Sequence, residues 1–279
     1  MTRSFKYDTI LLMEGLRNRK NRVLLRELIK TDFKLRYQGS ALGYLWALLK
    51  PLLMFAILYV VFSKILRFGG EIPHYTVYIL TGTVLWSFFT ECTFQGIHAI
   101  ENRGELIRKI SFPKYIVVLS ATSTAVINML INVGVIFIFA LINGCTPSLS
   151  WLLIIPSLIE LYALALGISL WLGAINVRLR DIGSIWEVLT QALFYAVPII
   201  YPISMVTNVS STAANIILVN PISQVIQDVR YNVVTDQTVT TWGYTGVVWG
   251  LVSVLIVIAI LVFGALYFKK KSRRFAEEV

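Results

Sequence analysis

The chain has 279 residues, of which 57% are hydrophobic and 14% charged, with a formal net charge of +10. Soluble domains hold about 45–50% apolar and about 25% charged residues, so this composition excludes a disordered chain, a collagen, a coiled coil and, in practice, a water-soluble enzyme. The surplus apolar surface requires lipid as its solvent, and the basic excess, which in a soluble protein would suggest nucleic acid, here marks loops facing an anionic leaflet.

The N-terminal region, residues 1–43, is polar and basic. It has no short apolar stretch ahead of a small-residue cleavage site, so no cleavable signal peptide is expected and the first membrane helix directs insertion. Arg22, Arg26, Lys30 and Lys34 recur every four residues and form one stripe on a helix. Leu24, Leu25, Leu28 and Leu35 supply apolar surface beside it. The pattern predicts an amphipathic helix in the membrane interface, each cation contributing about 1 kcal/mol near anionic lipid; a solvated helix packed on a partner is the alternative.

Charge-free stretches locate the crossings, at roughly 20 residues each. Six are predicted, over about 44–64, 75–99, 115–141, 151–175, 185–202 and 245–268, making 44–268 the membrane domain and 269–279 a basic tail. Tyr115 to Ile159 is too long for one helix, and the turn-forming Asn143-Gly144-Cys145-Thr146-Pro147-Ser148 divides it. After the fifth span, Ile216-Ile217-Leu218-Val219, Pro221-Ile222 and Val225-Ile226 are too apolar for an aqueous loop. Short re-entrant helices dipping into the outer leaflet are expected there, covered by protein or lining a water-filled cavity. Of the 25 Lys and Arg residues, 22 fall on the side of the termini, leaving Lys64, Arg67 and Arg230 opposite. The excess of cations in cytoplasmic loops then places both termini in the cytoplasm, in agreement with an even number of spans.

The chemistry of catalysis is missing from the pattern. There is no G-x-x-x-x-G-K-[ST] for ATP, no H-E-x-x-H and no G-x-S-x-G. His74 and His98 stand at opposite ends of one span, so neither a metal site nor a catalytic site is expected. Ionisable residues within apolar runs cost about 2.5–3.5 kcal/mol each at mid-membrane. Lys50 and Glu187 fall near an interface and can snorkel, Glu160 is expected to pack against a hydrogen-bonding partner, and Glu91 either packs or lines a path. Aromatic residues crowd span one (Tyr44, Trp46, Phe55, Tyr59, Phe62), span two (Tyr75, Tyr78, Trp86, Phe88, Phe89) and span five (Phe194, Tyr195, Tyr201). Tyr59, Phe62, Trp86, Phe89, Glu91, Phe194 and Tyr201 are the candidate lining of a channel in which sugar rings stack on aromatic faces; belt or packing roles are the alternative. Leu106, Ile107 and Phe112 are apolar residues in an otherwise charged loop, as suits a helix held in a partner's groove.

Five segments in order carry a resemblance. They are Leu28 to Trp46 with Lys50-Pro51-Leu52, including Tyr37-Gln38-Gly39-Ser40; Asn102, Leu106-Ile107-Arg108-Lys109 and Ser111-Phe112-Pro113-Lys114; Asn176-Val177-Arg178-Leu179-Arg180-Asp181-Ile182; Pro198-Ile199-Ile200-Tyr201-Pro202; and Asn220-Pro221. Together they resemble the ABC-2-type permeases that export polysaccharides: O antigen, capsule, rhamnan or teichoic acid. The resemblance implies an all-α, six-span membrane fold with an N-terminal amphipathic interface helix carrying Arg22, Arg26, Lys30, Lys34 and Arg36. It implies a homodimer in the bacterial plasma (inner) membrane with two separate nucleotide-binding subunits, where ATP and magnesium bind; this chain carries no cofactor and is not an enzyme. A coupling helix would include Glu101, Asn102, Glu105, Leu106, Ile107, Arg108, Phe112 and Pro113. The implied substrate is a lipid-linked polysaccharide. A drug or lipid exporter of the wider ABC-2 group, or a membrane-embedded glycosyl or acyl transferase, are the alternatives.

Overall fold

The structure is a computed structural model that describes residues 18–66 and 72–278. Residues 1–17 of the N-terminal region and Arg67, counted above among the loop charges, lie outside the described residues. Every regular element among the described residues is helical. Helix α1 (Arg19–Tyr37) starts where the Asn18 side chain accepts a hydrogen bond from Lys20 N at 3.0 Å. Then follow α2 (Trp46–Leu58), extended at both ends by Gly43–Leu45 and by a wider turn over Tyr59–Ile65; α3 (Tyr75–His98); the six-residue α4 (Gly104–Lys109); α5 (Tyr115–Ile142); and α6 (Ile154–Asn176), preceded by a turn over Leu149–Leu153.

Five helical segments are long and apolar enough to cross a membrane: Gly43–Ile65, Tyr75–His98, Tyr115–Ile142, Leu149–Asn176 and Val247–Lys271. The last contains α12 (Val247–Lys271). Helix α3 is the central one and is buried along most of its length. It tolerates threonines there because each hydroxyl bonds its own helix, as Thr81 does to Val77 O at 2.8 Å and Thr93 to Phe89 O at 3.0 Å. Helices α6 and α12 meet backbone to backbone, and a Cβ added at Gly264 would stand 2.2 Å from Gly167 O. Small residues serve this close approach in lipid, where no hydrophobic drive pulls helices together.

The fifth expected span, 185–202, takes a different form. Helix α7 (Ile182–Ala196) has only 15 residues, about 22 Å, against the roughly 30 Å of a bilayer core. Pro198 and Pro202 lack the amide hydrogens that would continue the helix, so residues 197–200 run on as buried, non-helical backbone. Helix and extension together still follow α3 from end to end. His98, at one end of α3, stands against Gly183, while Tyr75, at the other, donates its hydroxyl to Ile200 O at 2.8 Å.

The segment 203–244 forms short helices: α8 (Ile203–Thr207), α9 (Ser211–Val219), α10 (Pro221–Val233) and α11 (Thr241–Tyr244). Asn220 caps α10 through its side chain, accepting from Ile222 N at 3.0 Å, with Pro221 in the first turn. Helix α10 packs against α6 and α3 and is buried from Pro221 to Gln227. Arg230, expected as an outer-side loop cation, is instead fully buried. Its guanidinium donates to Pro198 O at 2.6 Å, Ile199 O at 2.6 Å, Tyr78 O at 3.0 Å and Gln227 Oε1 at 3.0 Å, and lies 3.5 Å from the Tyr78 ring centre. The carbonyls released where α7 breaks are thus satisfied by one side chain from α10.

At the opposite end a second apolar cluster gathers Ile100, Ile107, Val117, Val118, Leu170, Ala174 and Phe268, together with Phe275 of α13 (Phe275–Glu278). This end also carries Arg103, Arg108, Lys114 and the lysines 269–271, and is called the basic end below.

Removing the Arg230 guanidinium should strand buried carbonyls and destabilise the fold by about 3–5 kcal/mol. Arg230→Met should therefore lower the thermal midpoint of the detergent-purified protein by many degrees and deplete it from membranes. A midpoint within two or so degrees of the parent (a shift of about 1 kcal/mol) would contradict this role.

Candidate functional site

Two features stand along α3 and a third in the loop that follows it. The first is a cleft of about 480 Å³ between α2, α3 and α7. Trp86, Phe94, Phe194 and Tyr195 supply its aromatic walls, and Thr83, Thr90, Thr190, Gln191 and Glu187 its polar groups. Trp86 and Phe194 meet edge to face at 5.8 Å. Phe89 lies fully buried beneath them, 5.7 Å from Trp86 and 6.2 Å from Trp186, so it supports the wall rather than lining it. Tyr195 is 70% exposed. Its ring stands perpendicular to that of Phe194, at 5.3 Å. Neutral hydroxyls, amides and rings without a converging cluster of charge suit weak, repeated contacts with a hydroxyl-rich chain rather than one tight pocket.

Tyr59, Phe62 and Tyr201 do not join this group. Tyr59 packs on Phe55 at 5.8 Å, under the Lys64 ammonium, and Phe62 packs against the core. Tyr201 donates to Ala196 O at 3.2 Å and Tyr195 O at 3.3 Å, closing the turn that ends α7. Of the aromatic residues that do line the cleft, Tyr195 and Phe94 are not among the channel candidates read from the sequence, and neither are its polar groups. Tyr195 stands out in the sequence as an aromatic on span five, but which flank of a helix faces a cleft depends on its neighbours.

The second feature is a polar recess of about 390 Å³ between α2, α3 and α5, adjoining the end of α1. Glu91 is its centre. It pairs with Arg36 at 2.6 Å and accepts from Asn128 Nδ2 at 2.7 Å and Gln95 Nε2 at 2.9 Å. Lys50 and Asn132 also line it. The recess and the cleft share Ser87, Thr90 and Phe94 of α3. Glu160 differs from expectation: its Oε1 is buried with no hydrogen-bond partner among the described residues.

The third feature is the loop at the basic end. Glu101, Asn102, Glu105, Arg108 and Lys109 are exposed on α4 and the turn before it, and with Arg180 they line a shallow charged groove. Leu106 is half-buried. Ile107 points inward, 2% exposed, into the protein's own apolar cluster. Phe112 packs on the same cluster with the Lys114 ammonium 4.7 Å above its ring, and burial lowers the pKa of that ammonium. Pro113 lies between them in the turn that leads into α5. The face available to a partner is therefore polar and charged at its rim.

Helix α1 is fastened to this loop. Asp32 pairs with Arg103 and accepts from Ser120 of α5 at 2.5 Å. Arg22, Arg26, Lys30 and Lys34 are exposed, whereas Arg36, one turn after Asp32, reaches Glu91. A double-mutant cycle with Asp32→Asn and Arg103→Gln should give a coupling of about 1–2 kcal/mol in thermal unfolding. Additive effects of the two changes would mean that the pair does not hold α1.

The model of the ABC-2 type transporter family matches residues 23–234. The chain is 30% identical over 259 residues to an O-antigen export system permease protein RfbA of Klebsiella pneumoniae, covering 91% of this chain and 94% of that one. A second Klebsiella pneumoniae protein of the same name is 29% identical over 255 residues, with the same coverage. One from Myxococcus xanthus is 29% identical over 202 residues, covering 72% and 76% of the two chains. With the family model spanning most of its length and a helical bundle built to cross a membrane, the chain belongs to the ABC-2 type transporter family.

Proposed function

We propose that the chain is the membrane permease subunit of an ATP-driven exporter of a lipid-linked cell-surface polysaccharide of the O-antigen kind. The observation that carries this reading is the near full-length similarity to O-antigen export permeases, borne by a chain whose cleft offers rings and neutral polar groups. In this reading α7 and its extension to residue 200 complete a sixth crossing, so that both termini and the basic end lie in the cytoplasm of a bacterium, at its inner membrane. Helix α1 lies in the cytoplasmic interface with its Arg22–Lys34 stripe towards lipid headgroups and solvent, and α8 to α10 are re-entrant from the outer side. Two copies bring their α2, α3 and α7 faces together around the polymer. Two nucleotide-binding subunits, holding ATP and magnesium, dock at the groove of Glu101, Glu105, Arg108 and Arg180.

Depletion of the protein should remove a surface polysaccharide and leave its lipid-linked form inside the cell. An unchanged surface glycan would overturn the proposal. Tyr195→Ala should reduce export severalfold at a normal membrane level, because an exposed ring is removed without opening the core; full export would exclude the cleft as the path. Reversing charge with Glu105→Lys and Arg108→Glu should abolish co-purification of the nucleotide-binding subunit, while retention would place docking elsewhere. A cysteine at position 105 should resist an impermeant thiol reagent in intact cells, whereas one at the exposed Val209 should react; the reverse pattern would invert the topology.

A further inference from the structure

Where α6 packs on α10, buried polar atoms stand without partners. Glu160 Oε1 of α6, Asp228 Oδ1 of α10 and both amide atoms of Gln224, also of α10, make no hydrogen bond among the described residues. Gln224 is nonetheless 0% exposed. Unpaired buried polar atoms are rare in folded proteins and call for a water, an ion or a ligand. Gln224 and Asp228 are one turn apart and share a face of α10. The Gln224 amide faces the Asp228 carboxylate, and the Asp228 and Glu160 carboxylates lie close enough to repel each other. Asp228 Oδ2 accepts from Trp242 Nε1 of α11 at 2.9 Å, which leaves Oδ1 for the shared space.

The charge at this point is one-sided. Neither carboxylate has an ion pair among the described residues. Arg230 is two residues from Asp228, but two residues are about 200° around a helix. Its guanidinium is spent on the carbonyls of Tyr78, Pro198 and Ile199. Two like charges in an apolar bundle need a cation between them. A proton bridges two oxygens, whereas three acceptors are open here: Glu160 Oε1, Asp228 Oδ1 and Gln224 Oε1. Two carboxylates and an amide carbonyl are hard oxygen donors of the kind that suit a hard divalent ion, and two negative charges match its charge. Calcium accepts about six to eight oxygens in flexible geometry, while magnesium demands a near-ideal octahedron. Glu160 and Asp228 are half-buried, so water can enter to complete such a shell.

We propose that Glu160, Asp228 and Gln224 form a binding site for one calcium ion, with Glu160 Oε1, Asp228 Oδ1 and the Gln224 carbonyl oxygen as protein ligands and water in the remaining positions. The ion fastens α10 to α6, as Arg230 fastens the same helix to α3 and to the end of α7. The segment 203–244 is then held from two sides, one by its own arginine and one by an ion that the medium supplies. The site shares no residue with the aromatic cleft or with the recess at Glu91, so the inference does not depend on what the protein exports.

The test uses the full-length protein in neutral detergent, stripped with EDTA and then freed of the chelator. Thermal unfolding is followed with calcium, magnesium or sodium chloride at matched ionic strength. Terbium luminescence reads occupancy directly, because terbium replaces calcium on oxygen ligands and is sensitised by a nearby indole, here that of Trp242. Calcium should raise the thermal midpoint by several degrees, magnesium should do so less, and sodium should leave it unchanged. Terbium emission should appear with the parent and be displaced by calcium. Glu160→Gln, which keeps the side chain's volume, should weaken terbium binding about tenfold and lose the calcium shift. Without calcium it should unfold no earlier than the parent, since the repulsion is gone. Asp228→Asn, which keeps an acceptor for Trp242, should lose the calcium shift as well. A shift absent from the parent, or equal in the parent and either variant, would overturn the assignment. So would equal stabilisation by all three salts, which would be screening of surface charge. Stabilisation by mild acid with none by calcium would also overturn it, because the pair would then hold a proton.

Discussion

The buried guanidinium of Arg230 is the contact on which the half of the molecule away from the basic end depends. In a membrane bundle, backbone that leaves the helix must find donors within the protein, since lipid offers none. Residues 197–200 are such a backbone, and Arg230 bonds the carbonyls of Pro198 and Ile199 while a third bond goes to Tyr78 of α3. One planar side chain with five donors can do this where a lysine, a point charge, would reach fewer at these angles. Its position also explains Gly82, where an added Cβ would stand 2.4 Å from Nη2. By joining α3, the end of α7 and α10, the arginine holds the segment after α7 inside the bundle. It thereby fixes the far wall of the aromatic cleft.

At the basic end the corresponding fastening is ionic and spread over several elements. Asp32 ties α1 to the loop before α4 and to α5, and Arg36 ties the same helix one turn later to Glu91 of α3. The groove of Glu105 and Arg108 is thus connected to the recess at Glu91 through one rigid helix. Ile107 and Phe112 fix the loop from below by packing on α5, α6 and α12. In the proposed transporter, a partner pressing on this loop moves a surface that is packed to the helix ends, whereas the exposed cations of α1 stay with headgroups and solvent.

Much of this was legible in the sequence, and the failures have physical causes. Five crossings follow from charge-free length alone, with ends at Gly43–Ile65, Tyr75–His98, Tyr115–Ile142, Leu149–Asn176 and Val247–Lys271 close to those expected. The fifth expected crossing breaks early because hydropathy does not register the lost amide hydrogens of Pro198 and Pro202. Arg230 reads as a loop cation because its partners are backbone carbonyls, which leave no trace in residue type. For the aromatic candidates, Trp86 and Phe194 share a cleft while Tyr59 and Tyr201 serve local packing and a turn; composition gives the density of rings but not the rotation of the helix that bears them. Ile107 reads as a free apolar residue in a charged loop, since the cluster that buries it comes from residues far along the chain, among them Val118, Leu170 and Phe268.

In the proposed transporter a polysaccharide passes along the cleft of α2, α3 and α7. The most direct test of this passage is capture of the polysaccharide in transit. A photo-crosslinking amino acid would replace Tyr195, which is 70% exposed at the cleft, or Leu255, which is 61% exposed on α12 away from it. After illumination of exporting cells, the permease would be probed for covalently attached glycan. Glycan is expected on the protein substituted at 195, none on that substituted at 255, and a stronger signal at 195 when export is stalled by removing ATP hydrolysis. Absence of glycan at 195, or equal capture at the two positions, would contradict it.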